Sequence, residues 1–342
     1  MSPPRLALAT RLRDFLRKEI KSSELLRALA VIGPLVIVYF FLREPAVPNL
    51  GLIAISLLIP ALKLGLAPRS VALHYLAILI TFGTLFLAAP IKPLFVSLTA
   101  LAAFVAVAVT RYGDALRTLG NWVFIPAVYL ACEVREGAGA AEALRHAGII
   151  VTASPIALAL VCCVQIFDGR HHRDAAPPHY GSTAAEWLLP AAATALAVFA
   201  AAALVEELNL AQGQWAIWSA ASVVVGDLSA VTGKLKLRAI GALIGVPLGF
   251  LLGIELPQSR VGYSFAILGA TLTLIAFSRY VVGFGTRCFF IALAASFAGG
   301  ASGIAEERVA NVILGGVFGL IAVALMELVW RRIGAAGTGL SQ

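Results

Sequence analysis

Charged and amide side chains inside or beside long apolar runs are the groups in this chain most able to do chemistry. Burying them costs several kcal/mol unless a partner or an aqueous cavity receives them. Asp227 is followed by Lys234, Lys236 and Arg238. A carboxylate in reach of three cations reads either as a structural salt bridge or as a proton-linked gate, paired with Arg238 in one state and parted from it in another. Arg69 takes the place of Arg238 in the first half of the chain. Arg287, a few residues into an apolar run, either snorkels to water or offers its cation to an anionic substrate. Asn121 and Asn311 can bond across helices or face a cavity, and interhelical bonding is the simpler role. Trp122, Trp215 and Trp218 supply aromatic surface. Glu327 and Arg331 have the i, i+4 spacing of a helical ion pair.

Other chemistries have little support. His171, His172, Asp174 and His179 are metal-ligating types, but their spacing matches no zinc or iron pattern, and a solvated loop is the simpler reading. Cys132, Cys162, Cys163 and Cys288 lie in or beside apolar runs without a Cys-x-x-Cys pattern, as small packing residues do. No nucleophile elbow, Ser-His-acid spacing or phosphate loop stands out. The reading is of a non-enzyme without metal or cofactor.

The elements that must hold these residues are membrane helices. Apolar residues make up 60% of the chain and charged residues 13%, and the mean hydropathy is +0.93. This composition, with runs long enough to cross a bilayer, predicts an all-α polytopic membrane protein. About twelve spans are expected, in a first set at 26–42, 49–62, 71–89, 93–110, 118–133 and 147–167. The second set falls at 187–205, 213–230, 239–256, 261–277, 282–300 and 309–330. With a cytoplasmic N-terminus, twenty of the 26 Lys and Arg residues fall on the cytoplasmic side and six outside. This is the positive-inside pattern of a bacterial inner-membrane protein with both termini in the cytoplasm. The net charge of +8 is therefore a matter of orientation and gives no support to nucleic-acid binding. In residues 1–24, Leu8, Leu12, Phe15 and Leu16 share a helical face among basic residues, which predicts a leader lying along the anionic leaflet.

The two sets look like a duplication. Arg69 and Arg238 stand 169 positions apart, Arg111 and Arg279 168, and Arg145 and Arg308 163. The expected organisation is a first repeat at 25–168, a cytoplasmic linker at 169–186, a second repeat at 187–332 and a tail at 333–342. An even number of helices per repeat makes the two repeats parallel. Residues 213–253 read as two spans joined by a short basic turn at Lys234, Lys236 and Arg238. Trp215 and Trp218 would anchor the far interface, and Gly241, Gly245, Gly249 and Gly253 form a stripe for close helix contact. Pro34, Pro60, Pro126, Pro155, Pro190 and Pro247 interrupt apolar runs, as in membrane helices that are kinked or broken.

A Trp-bearing helix, an arginine and a Gly-rich helix in that order resemble the FUSC-type membrane module of the aromatic acid exporter family. Here the matching residues are Trp215, Arg238, Gly241 and Gly245. The last span, ERVANVILGGVFGLIAVAL, is similar to a second family element opened by Arg308; the family usually has an acid three residues later, where this chain has Asn311. The resemblance covers residues 187–332 and fits a compact variant without the large soluble domains many members carry. It implies a secondary transporter that expels small organic anions such as aromatic carboxylates, coupled to protons, with a periplasmic adaptor as partner. In that picture Arg238, Arg69, Arg287, Trp215, Trp218, Asn121 and Asn311 would meet substrate, and Asp227 would carry the proton. A homo-oligomer, a membrane enzyme acting on lipid-linked substrates and a non-transporting scaffold remain open readings.

Overall fold

The computed structural model describes residues 18–44, 46–136, 138–167, 184–297 and 301–338, with side chains from residue 186 in the fourth stretch and at 307–332 in the fifth. The described chain is helical without strands, apart from one isolated bridge between Ile20 and Phe277. We number the helices α1 (Ser22–Leu42), α2 (Val47–Leu64), α3 (Pro68–Ala88), α4 (Lys92–Ala108), α5 (Leu116–Glu133), α6 (Ala140–Ala153) and α7 (Pro155–Phe167). After the linker come α8 (Ala184–Leu208), α9 (Gln214–Val223), α10 (Leu228–Glu255), α11 (Arg260–Leu272), α12 (Tyr280–Phe297) and α13 (Ala301–Thr338).

Each of the twelve expected segments contains a helix, with α6 and α7 forming one kinked stretch, Ala140–Phe167, that counts as one span. Among the described residues nine helical stretches are long and apolar enough to cross a bilayer. The segments expected at 118–133, 213–230 and 261–277 fall short of that standard for distinct reasons. In α5, Arg117, Asn121 and Glu133 dilute the apolar run. α9 ends after 10 residues and α11 after 13.

The surface follows the rule of a protein solvated by lipid. In α3, Val71, Tyr75, Ile78, Phe82 and Leu85 are buried at helical spacing, while Leu73, Leu76, Ile80 and Leu87 on the other face are exposed. Apolar residues on both faces suit an interior of protein on one side and hydrocarbon on the other.

Contacts divide the chain into two compact units, one of residues 1–58 and 237–305, the other of 59–236 and 306–342. In the first unit the Gly stripe of α10 packs on α12. An added Cβ at Gly241 would lie 3.1 Å from the Gly285 nitrogen, and at Gly245 or Gly249 it would overlap the carbonyl oxygen of Gly285 or Phe289. Two backbones at this separation gain dispersion contacts that larger side chains would forbid. α11 packs on α12 and α1. Residues 18–21, the end of the basic leader, dock on the α11–α12 loop. Lys21 N donates to Ala276 O at 2.8 Å, Ser278 N to Glu19 O at 2.9 Å, and Arg279 Nε to Glu19 Oε2 at 2.6 Å. The amphipathic helix expected at 8–16 lies outside the described residues.

In the second unit α4 packs along α8 and α3 along α5. Gly120 of α5 faces the Ala106 carbonyl at a distance that leaves no room for a side chain. At the α6–α7 kink Ser154 Oγ, within 2.7 Å of Tyr75 Oη, donates to Val151 O at 3.0 Å. The break coincides with Pro155, which lacks the N–H needed to continue the ladder.

Candidate functional site, a discontinuous helix

The basic turn expected around Lys234–Arg238 does not exist. All three cations lie within α10, and the chain breaks before the first of them, at Val224–Val225–Gly226–Asp227. Val224 is extended, with φ −68° and ψ 95°. A break inside an apolar run exposes carbonyls at the end of α9 and N–H groups at the start of α10, each costly to leave open in lipid. Charged side chains of matching sign answer both ends. Lys234 Nζ donates to Ser222 O at 2.5 Å, and Arg117 Nη2 of α5 donates to Val224 O. Asp227 is the N-cap of α10, its Oδ1 accepting from Ala230 N at 2.9 Å, and Glu327 Oε1 of α13 accepts from Leu228 N at 3.0 Å. Cations at a helix C-terminus and carboxylates at an N-terminus also suit the macrodipoles of the two half-helices.

Beside the break lies a cavity of about 220 Å³. Glu186, Asp227 and Glu327 line it with carboxylates, and Leu189, Pro190 and Met326 line it with apolar surface. A wider cleft of about 670 Å³ shares Asp227 and Glu327 and adds Lys236 and Arg331. Glu327 also forms the expected pair with Arg331, at 3.5 Å. Asp227 thus stands exposed at the mouth of this cleft while capping a helix.

At the opposite end of α9 the polar residues form a second, enclosed group. Trp215 and Trp218 stack, with centroids 4.9 Å apart and planes 21° from parallel. Tyr129 of α5 meets Trp215 edge-on at 5.5 Å, and the Arg308 guanidinium of α13 lies 3.2 Å from the Trp215 ring centre. Trp215 and Arg308 are each 8% exposed, so Trp215 is a core residue here and the expected interfacial anchor is absent at that position. Trp218 is half-buried.

The α8–α9 loop closes over this group. Gln212, at φ +54°, accepts from Trp215 Nε1 through its Oε1 at 3.2 Å. Its backbone N and side-chain Nε2 donate to Glu136, at 3.0 and 2.9 Å. Asn311 Nδ2 donates to Ala211 O at 2.8 Å and Gln212 O at 3.1 Å, so Asn311 ties α13 to the loop between α8 and α9 rather than to a neighbouring helix. α9 is held to α13 along its length: Ser219 Oγ donates to Val312 O at 2.6 Å, and a Cβ at Gly315 would overlap Ala216 O.

Residues 196–322 match the family model described as fusaric acid resistance protein-like. They form a FUSC-type membrane module. The matched stretch holds the broken α9–α10 pair and Arg308 together with Asn311, while Tyr129 and Glu136 come to the module from α5 and its following turn. No curated protein and no solved structure is significantly similar to the chain.

Of the residues proposed from sequence, Trp215, Trp218 and Asn311 come together in the enclosed group, and Asp227 stands at the cavity of the same unit. Arg238 belongs to the other unit, where its Nε donates to Tyr280 Oη at 2.6 Å and its guanidinium lies 5.3 Å from the Phe284 ring. Arg287 donates to Thr273 Oγ1 at 3.2 Å. Asp227 therefore caps its helix, and Arg238 donates a bond to a phenol. Arg69 is exposed at the first turn of α3, and Asn121 is half-buried in α5. Tyr129, Gln212 and the role of Arg308 escaped sequence reasoning. The signal for Arg308 was present in the Gly315–Gly316–Gly319 cluster, which seats its helix on α9. The histidine group at 171–179 lies outside the described residues.

Proposed function

We propose that the protein is an inner-membrane secondary transporter that exports small organic anions such as aromatic carboxylic acids, coupled to protons. The observation that carries this reading is the buried Arg308 laid on Trp215, inside a FUSC-type module and against a discontinuous helix. A guanidinium laid on Trp215, whose indole also meets Trp218 and Tyr129, is the type of group that grips a carboxylate, and the rings supply flat apolar surface for an aromatic ring. Discontinuous membrane helices are a recurring way of building transport sites. The carboxylates of Glu186, Asp227 and Glu327 around the cavity supply groups able to take up a proton, with Asp227 at the break itself. Arg238 and Arg287 form a second arginine-bearing region, the next place to test for anion recognition.

The purified protein in proteoliposomes, loaded with a panel of radiolabelled aromatic acids and subjected to a pH gradient, should release at least one of them faster than empty vesicles do. Arg308→Ala should lose that release while remaining in the membrane fraction. Equal retention by protein-containing and empty liposomes across the panel would overturn the reading.

A further inference from the structure

Resting on that reading, we infer that Glu327 is the carboxylate whose proton is coupled to transport, and that its charge clamps the start of α10 to α13. Two acids answer the freed N–H groups at the start of α10, and they do so differently. Asp227 caps its own helix, its Oδ1 accepting from Ala230 N at 2.9 Å, so neutralising it alters a bond inside one element. Glu327 comes from α13. Its Oε1 accepts from Leu228 N at 3.0 Å, and its Oε2 meets Arg331 at 3.5 Å. Neutralising Glu327 therefore alters a bond between two helices, at the point where one of them is broken.

The surroundings favour the same choice. Asp227 and Glu186, the other acids of the cavity, are exposed, whereas the Glu327 side chain is sheltered to 22% exposure. The charged groups facing Glu327 are Glu186 from α8, Asp227 and Lys236 from α10, and Arg331 one turn on in α13. An ionised carboxylate at the positive end of a half-helix makes a charge-assisted bond, about twice as strong as a neutral one. One proton taken from solvent makes Glu327 a neutral acid, weakens its bond to Leu228 N and removes the charge that Arg331 faces. Arg117 and Lys234 hold the α9 side of the break through carbonyls, and this proton leaves their bonds as they are. Two turns further along α10, Leu235 seats against Gly316 of α13, an apolar contact that a proton does not touch. Leu235 is thus the pivot about which the first turns of α10 leave α13 and widen the cavity beside the break.

Hydrogen exchange at Leu228 N, referred to the intrinsic rate at each pH, reads the clamp directly. In the parent protein its protection should fall about tenfold between about pH 8 and about pH 4, the difference between a charge-assisted and an ordinary hydrogen bond. Glu327→Gln should lack that step, and Asp227→Asn should keep it. In proteoliposomes a pH gradient should speed release of radiolabelled benzoate, or of whichever panel acid the parent releases fastest. The ratio of release with the gradient to release without it should drop to about one in Glu327→Gln, since the coupling between proton and substrate is gone. A parent-like ratio in Glu327→Gln, or protection of Leu228 N indifferent to pH in the parent, would overturn this inference and leave the export reading standing. Parent protein that moves no acid of the panel would overturn the export reading, and the proton role of Glu327 with it.

Discussion

At the scale of single residues, Arg238 and Arg308, both buried, differ in what surrounds them. Arg238 has a phenol as hydrogen-bond partner and a phenyl ring beside it, whereas Arg308 lies flat on an indole with a glutamate in electrostatic range. Lysine keeps the charge but lacks the planar fork that stacks on a ring and grips a carboxylate with two donors. Arg308→Lys is accordingly expected to weaken benzoate binding about tenfold or more, with unchanged membrane insertion; unaltered affinity would move the anion site elsewhere. Outside the spans, Glu19 offers a test by pH. Burial alone would raise its carboxyl pKa, but the backbone and side-chain hydrogen bonds and the charge of Arg279 outweigh that and hold it below the ordinary value. A depressed folded pKa means that the docking of residues 18–21 is fully present above the unfolded pKa, about 4.3, and is lost as pH falls through the lower folded value. Hydrogen exchange at Ser278 N and Lys21 N should speed up in that acidic window. In Glu19→Gln the charge-dependent part should be missing at neutral pH, and exchange there that matches the parent would deny the ion pair any role in holding the leader.

At the scale of elements, glycine has two distinct meanings in these helices. Gly315 and Gly245 stand where a methyl group would overlap backbone oxygens of α9 and α12, and backbone cannot move aside as a flexible side chain can. Gly83 in α3 has nothing within 4 Å of the place its Cβ would occupy. Gly315→Ala and Gly245→Ala should each cost about 1–3 kcal/mol as overpacking, and Leu at either position should abolish detergent-stable protein. Gly83→Ala should be neutral or gain up to about 1 kcal/mol from helix propensity. Thermal unfolding in detergent compares the three directly, and equal midpoints would mean that the α9–α13 and α10–α12 crossings are looser than described. The α10 stripe was legible because its four-residue period is written in one segment. The α9–α10 break was not, because Val-Val-Gly-Asp continues an apolar run and the groups that answer the freed backbone include Arg117 and Glu327, each about a hundred positions away. Local propensity could not place a break whose cost is met by tertiary partners. For the same reason Lys234 reads as a turn residue in isolation, yet inside α10 it reaches back to Ser222.

At the scale of the whole molecule, the apolar runs carried the fold class, since composition and span length are properties of the chain alone, and the exposed Leu73, Ile80 and Leu87 agree with a lipid-facing surface. Orientation rests on the distribution of basic residues. Lys63, Arg111, Arg117, Lys234, Lys236, Arg279, Arg331 and Arg332 fall on the side expected to be cytoplasmic, where positive charge resists translocation. In this orientation the broken helix and its acid-lined cavity open toward the cytoplasm, and the group around Arg308 lies toward the outside. Substrate would then enter beside Asp227 and leave past Gln212. This direction is testable without any assay of transport. Single cysteines at Ala138 and Gln258, in a background without Cys132, Cys162, Cys163 and Cys288, should react with an impermeant maleimide added to intact cells. Cysteines at Pro177 and Gly337 should react only after the membrane is opened. Labelling of Pro177 from outside would break the twelve-span arrangement, because an odd number of crossings would then precede the linker. Labelling of all four in the reverse sense would keep the span count and turn the molecule over, placing Arg308 at the cytoplasmic face and reversing the order in which a substrate meets Asp227 and Trp215.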